Sequence, residues 1–302
     1  MPSDSNNPRN DQGELIYYDY HGNRWLPVLA AVLFGILFVG HAVRMVQNRR
    51  SWRFWWPFMI GVGAEVAGYA IRRPSLVNNT EFGLYLAQTL LIILAPAFMS
   101  ASLYMTYGRM VSVVGPDLSP VRPTRVTKIF VGCDVLSIVV QGAGGAMYAG
   151  NNKSNYDAAK AILVVGFLIQ IVAFTFFLIL NSWYKRRASL AGLPGGDYHK
   201  LIAVVWVAGV LILIRSIFRL IEFAAGSGGQ SGYLLTHEWC YYILETLPIT
   251  VAVAALLLYF PPSLLARTST AFSKVDEKYP HSKGLNGTDG STMELTPSGA
   301  RV

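Results

Sequence analysis

The side chains of this sequence that could do chemistry are few, and they interrupt long apolar runs: Glu65, Asp134, Arg215, Arg219, Glu222 and Glu245, with the amides Gln141 and Gln170. An ionisable group at the centre of a hydrocarbon layer costs about 2.5–3.5 kcal/mol on insertion scales, so such groups face a bundle interior and find partners there. What they can do in that setting is bind a charged headgroup, exchange ion pairs or pass a proton. Two of the runs carry opposite charges seven residues apart, Glu65 then Arg72 and Arg215 then Glu222. On a helix that spacing is two turns on one face, about 10 Å along the axis. If the two helices are parallel neighbours in register, Glu65 meets Arg215 and Arg72 meets Glu222. Glu245 lies at a similar depth, and Arg215 and Arg219 are one turn apart, so Glu245 is the carboxylate expected to balance the second arginine. Either this is a polar pocket for an amphipathic headgroup, or it is an ion-pair network that only holds helices together.

A second polar face runs through Asp134, Ser137, Gln141, Gly144 and Gly145 at helical spacing. Small residues there let helices approach and buried amides bond across them, so packing accounts for the glycines. Arg109, at the end of the preceding apolar run, is the expected partner of Asp134. Ala95-Pro96 and Leu247-Pro248 predict kinks in their helices.

The elements that must position these groups follow from composition. Of 302 residues, 53% are hydrophobic and 14% charged, with mean hydropathy +0.38, which is outside the range of ordinary soluble domains. A membrane-crossing helix needs about 20 mainly apolar residues, and seven stretches qualify: 25–47, 54–72, 83–107, 128–150, 160–183, 201–224 and 238–260. They lack the alternation of a barrel strand, and a backbone in lipid must satisfy itself, so the expected class is all-α, a seven-helix transmembrane bundle. The basic residues alternate between loops. Arg44, Arg49, Arg50 and Arg53 follow the first stretch; Arg109, Arg122, Arg125 and Lys128 the third; Lys185, Arg186, Arg187 and Lys200 the fifth. By the positive-inside rule these loops are cytosolic, the N-terminus is outside and the C-terminus cytosolic. The net charge of +8 is therefore a topology signal, and nucleic acid is not an expected partner.

The organisation expected is an extracellular N-terminal tail, 1–24, a seven-span domain, 25–260, and a disordered cytosolic tail, 261–302, rich in Ser, Thr, Gly and charge. No apolar core precedes Trp25, so the first helix is expected to do the targeting. Sequons at Asn78 and Asn152 fall in outer loops and are glycosylation candidates. Trp25 and Trp239 outside, with Trp52, Trp55, Trp56 and Trp183 inside, are placed as an interfacial belt. Cys133 and Cys240 lie at opposite depths and are expected to be free thiols.

Several chemistries lack their residues. The five histidines are scattered, with no zinc-ligand spacing, and no metal site is expected. No G-x-x-x-x-G-K-S/T loop occurs, and the last apolar stretch has no lysine for a retinal Schiff base. No cofactor is expected and catalysis is not. A seven-helix receptor shares the topology, but the third stretch ends Tyr107-Gly108-Arg109 and the seventh lacks Asn-Pro-x-x-Tyr.

The pattern as a whole resembles the fungal lipid-translocating exporter family, also called RTA-like proteins. The resemblance rests on Glu65-x-x-Gly68-Tyr69-x-x-Arg72, Ala95-Pro96-x-Phe98-x-Ser100-Ala101-x-x-Tyr104, Asp134-x-x-Ser137-x-x-x-Gln141-Gly142-x-Gly144-Gly145, Gly166-x-x-x-Gln170, Arg215-x-x-x-Arg219-x-x-Glu222 and Glu238-x-x-x-Tyr242-x-x-Glu245-x-x-Pro248. It adds Tyr69 and Glu238 to the candidate site residues and also contains Arg72. It implies a multi-pass protein of the plasma membrane or another secretory-route membrane, tied to sphingoid long-chain base release, resistance to toxic amphiphiles or porphyrin movement. The expected function is a transporter or translocator of amphipathic lipids, with membrane lipids and an amphipathic small molecule as partners. Arg215 and Arg219 would meet an acidic headgroup, and Glu65, Glu245 and Asp134 an amine. Without a nucleotide site, coupling would come from an ion gradient or from the lipid's own gradient, with Asp134 and Glu65 as proton-relay candidates. The alternatives are a lipid-sensing receptor or regulator that binds the same ligands without moving them, and a scaffold with no ligand.

Overall fold

A computed structural model of the chain describes residues 25–48, 52–77, 81–149, 156–191, 196–225 and 238–278. Among the described residues all regular structure is helical. The order is α1 (Leu26–Gln47), α2 (Trp52–Val77), α3 (Phe82–Val114), a 3₁₀ turn (Pro116–Leu118), α4 (Pro123–Ala149), α5 (Tyr156–Leu190), α6 (Asp197–Ala225), a three-part α7 and α8 (Pro261–Lys278). The parts of α7 are a first turn (Glu238–Tyr241), a π-helical turn (Tyr242–Thr246) and an α-helix (Leu247–Leu258). Among the described residues six segments are long and apolar enough to cross a membrane, the last running Tyr242–Ser273 through α7 into α8. α2 is not among the six, because Trp, Pro, Glu65, Arg72 and Arg73 dilute its apolar residues.

Each helix from α1 to α7 packs on its neighbours in sequence. α7 closes the ring onto α1 and α6, and α3 reaches across to α6. α1 shows how the sequence sorts core from lipid. Ala30, Phe34, Leu37, His41 and Met45 recur every three or four residues and are buried, while Leu29, Val32, Leu33, Ile36, Val39, Val43 and Val46 form an exposed apolar stripe on the other side. In water such a stripe would be a large patch; against acyl chains it is the ordinary surface. The tight α2–α3 seam depends on glycine. A Cβ on Gly61 would lie 2.7 Å from the Ala95 carbonyl oxygen, and one on Gly68 would lie 2.6 Å from Ile92. Two turns apart on one face, they let the backbones close up as small residues do in membranes.

Three expectations are corrected here. Disorder was expected from residue 261, but Pro261–Lys278 is a helix; the two prolines suit its first turn. Leu264, Leu265 and Thr268 are buried and Phe272 half-buried on one face, laid against α3 and α6. Average composition hides an amphipathic face that short. Trp55 was placed in the interfacial belt but is fully buried, stacked on Phe58 at 4.7 Å. Trp25, Trp56, Trp183 and Trp239 are exposed. α2 was expected beside α6, yet it packs on α1 and α3, and α3 stands between. The sequons at Asn78 and Asn152 and the side chains of Glu238 and Cys240 lie outside the described residues, while Cys133 is a free thiol.

Candidate functional site

The C-terminal halves of α2 and α6 and the start of α7 bring together Glu65, Tyr69, Arg72, Arg215, Arg219, Glu222, Tyr241 and Glu245. At the centre, Glu245 Oε1 accepts from Arg215 at 2.7 Å and from Arg219 at 2.8 Å. Arg219 also pairs with Glu222 one turn on, at 2.8 Å, and donates to the Tyr241 hydroxyl at 3.2 Å. Arg215 and Glu245 are each 1% exposed, so these are desolvated pairs in which the fit of the partners decides the energy.

Two prolines shape this geometry. Pro96 has no N–H to bond the carbonyl of Ile92, four residues before it, so that oxygen is left without its helical donor. Arg215 supplies the missing one, donating to Ile92 O at 2.6 Å. On α7 the π-helical turn directly precedes Leu247-Pro248, and it presents the consecutive residues Glu245 and Thr246 to the interior together. Wide turns of this kind recur at functional sites. Thr246 Oγ1 shares a 2.6 Å hydrogen bond with the Tyr69 hydroxyl, which fixes α2 to α7 at this level, and the Tyr69 ring stacks on Phe34 of α1 at 5.6 Å. Arg72 lies 4.0 Å above the Tyr241 ring and donates to Gln88 at 3.3 Å.

The expected pairs, Glu65 with Arg215 and Arg72 with Glu222, are therefore replaced by others. Depth was matched, but direction round the helix axis was not known, and α7 offers Arg215 a nearer carboxylate. Glu65 is 2% exposed and makes no hydrogen bond or ion pair with any described residue. Arg215, Arg219 and Glu245 are close enough to act on it through space only.

Two further polar groups lie apart from this cluster. Asp134 was expected to pair with Arg109; instead its Oδ2 meets the Ser100 hydroxyl of α3 at 2.6 Å. Arg109 is exposed, with its guanidinium 4.3 Å over Phe54. An aromatic face near the end of α3 draws the arginine away from the interior. Gln141 donates to Ser137 at 2.6 Å and to Gln170 at 3.3 Å, and Ser137 donates to the Gly166 carbonyl at 2.9 Å. The first lies within α4, and the other two join α4 to α5. A Cβ on Gly144 would lie 2.8 Å from Leu163, but one on Gly145 would meet nothing. Ile92, Tyr241 and Thr246 escaped sequence reasoning. The Ile92 carbonyl was findable, since an internal proline always frees the carbonyl four residues earlier, whereas nothing in the sequence marked Tyr241.

The model of a family described as RTA1 like protein matches residues 58–268, which holds every residue of the cluster. Protein RTA1 of Saccharomyces cerevisiae is 30% identical over 245 residues, covering 80% of this chain and 74% of that protein. Protoporphyrin uptake protein 1 of the same yeast is 30% identical over 66% of this chain and 66% of its own length. The yeast sphingoid long-chain base transporter RSB1 is 26% identical over 281 residues, 80% of this chain and 72% of that protein. No solved structure matches the chain. A family match across the whole ion-pair cluster, on a multi-pass helical bundle, places this chain in the RTA1-like family of membrane proteins.

Proposed function

We propose that this protein translocates amphipathic lipids across a membrane, and that it receives a positively charged headgroup, such as the amine of a sphingoid base, at the cluster between α2, α6 and α7. The observation that carries this is Glu65. Both neighbouring arginines already have carboxylates at 2.7–2.8 Å, whereas Glu65 is buried without a direct partner. A carboxyl in that state is the vacant ligand of the cluster, and it ionises against a cation that arrives beside it. An acidic headgroup at Arg215 or Arg219 would instead have to displace Glu245 or Glu222 from a bonded arginine. The names borne by the relatives, a sphingoid long-chain base transporter and a protoporphyrin uptake protein, fit amphiphile movement.

In this reading the chain crosses the membrane seven times, α2 included, with the basic loops cytosolic, the cluster in the outer half and the plasma membrane as its site of action. Export of a labelled sphingoid base from cells tests it. Glu65→Gln at normal expression lowers efflux directly. Efflux that changes only through altered expression of other transporters would replace transport with sensing.

A further inference from the structure

Asp134 is the buried carboxyl that the ion-pair cluster does not use, and its surroundings contain a hydrogen too few. Ser100 Oγ lies 2.6 Å from Asp134 Oδ2 and 2.8 Å from the Ala97 carbonyl oxygen. A serine hydroxyl has one hydrogen and a carbonyl has none, so a single hydrogen cannot serve both contacts. A proton on Asp134 resolves the count: Asp134 donates to Ser100, and Ser100 donates to Ala97. With Asp134 ionised, Ser100 would donate to it, and the Ser100 and Ala97 oxygens would stand 2.8 Å apart with no hydrogen between them.

Among the described residues no cation takes the proton's place. α3 and α5 are the helices packed on α4, and the side chains acting on Asp134 are Ser100 and Tyr104, both from α3. Arg109 of α3 is turned to Phe54, and α5 presents Gln170 to this helix, bound to Gln141. Its own helix neighbour Cys133 is a free thiol. The Tyr104 hydroxyl faces Asp134 and Ser100 as a second neutral hydroxyl, and both it and Asp134 Oδ1 are buried. Asp134 is 2% exposed. A carboxyl held this way is neutral in this conformation, and ionising it demands a conformation that admits water or a cation.

We propose that Asp134 is a proton-binding site, separate from the headgroup cluster, whose loading and release couple translocation to a proton gradient. No covalent step is involved: the proton binds the carboxyl in the conformation described here and leaves it when the α3–α4 seam opens. The inference rests on the translocation reading above, because a proton bound by a protein that moves nothing has no gradient to spend on a cargo.

The test uses purified full-length protein in lipid vesicles with the membrane potential clamped. The probe is a fluorescent long-chain trimethylammonium, whose fixed charge prevents passive trapping by acid. With one proton exchanged per probe, one pH unit across the membrane sustains about tenfold accumulation. Wild type is expected to reach that ratio, whereas Asp134→Asn should bring the probe only to equal concentrations. Asparagine imitates the neutral carboxyl and can still donate to Ser100, so the variant should melt with wild type. Wild-type exchange indifferent to the pH gradient, accumulation by Asp134→Asn, or loss of probe binding in that variant would overturn the proposal. The last result would make Asp134 a headgroup ligand. If wild type moves no probe, translocation itself fails, and the wild-type minus Asp134→Asn infrared difference spectrum decides this site alone. A protonated-carboxyl band supports a proton on Asp134, and a carboxylate band refutes it.

Discussion

Glu245 serves two arginines with one oxygen, which makes the effects of charge removal in the cluster asymmetric. Glu245→Gln keeps an oxygen near Arg215 and Arg219 but withdraws the negative charge facing them at 2.7 and 2.8 Å. Arg219 still has Glu222 at 2.8 Å. Arg215, buried and otherwise bound only to the Ile92 carbonyl, is left as an uncompensated charge. Breaking a buried pair in this way costs about 3–5 kcal/mol. Arg215→Gln is the milder change, because Glu245 keeps Arg219; losing one charge-assisted hydrogen bond costs about 1.5–3 kcal/mol. The double variant leaves Arg219 with Glu222 as a complete pair, so its cost falls below the sum of the singles by more than 1 kcal/mol, within the usual range for contacting residues. Denaturation of the detergent-solubilised protein, followed by tryptophan fluorescence, measures all three. Equal losses in the two singles, or strict additivity in the double, would refute the charge accounting.

Three other outcomes follow from the same geometry. Glu65→Gln breaks no bond to a described residue and exchanges a neutral carboxyl for an amide of the same shape, so its unfolding free energy should stay within about 1 kcal/mol of wild type while binding of a long-chain amine is lost; a large drop in stability on denaturation would mean that Glu65 is a structural partner. Pro96→Ala ordinarily relieves about 3 kcal/mol in a helix interior, but the restored N–H competes with Arg215 for Ile92 O, so the gain in thermal denaturation should be under about 1 kcal/mol. A full gain would show that Arg215 does not depend on that carbonyl. Gly61→Ala places a methyl 2.7 Å from the Ala95 oxygen and should cost about 1–3 kcal/mol, whereas Gly145→Ala meets nothing within 4 Å and should be neutral or stabilising in the same assay.

The bundle was legible because hydrocarbon leaves one solution for a long apolar segment, and the helices occupy the expected stretches. α8 was not legible: its apolar face is only Leu264, Leu265, Thr268 and Phe272, too few to lift the composition of a polar segment. The membership of the central cluster could be read from depth, since an ionisable group inside a span must meet others at its own level. Partner choice could not, because depth gives height along a helix and says nothing of which helices adjoin. The adjacency of α2 and α6 was assumed from matched charges, and α3 in fact separates them. Arg109 shows a different limit. It was assigned to Asp134 as the nearest opposite charge, but Phe54 competes for it near the end of α3, and a ring's attraction carries no formal charge to count. Glu65 was named from sequence as one of three groups that would meet an amine, but that it stands without a direct partner among the described residues was hidden, as sequence reasoning looks for partners.

The central claim is that an unpaired carboxyl beside the ion pairs of Arg215, Arg219, Glu222 and Glu245 receives the headgroup of a lipid that the protein carries across the bilayer. Movement of a labelled sphingoid base between the leaflets of vesicles holding only the purified protein measures this without the help of other cellular components. Wild-type protein is expected to speed that movement well above protein-free vesicles, and Glu65→Gln, folded and inserted to the same extent, to return it to the protein-free rate. Equal rates with and without wild-type protein, or undiminished movement with Glu65→Gln, would contradict the account.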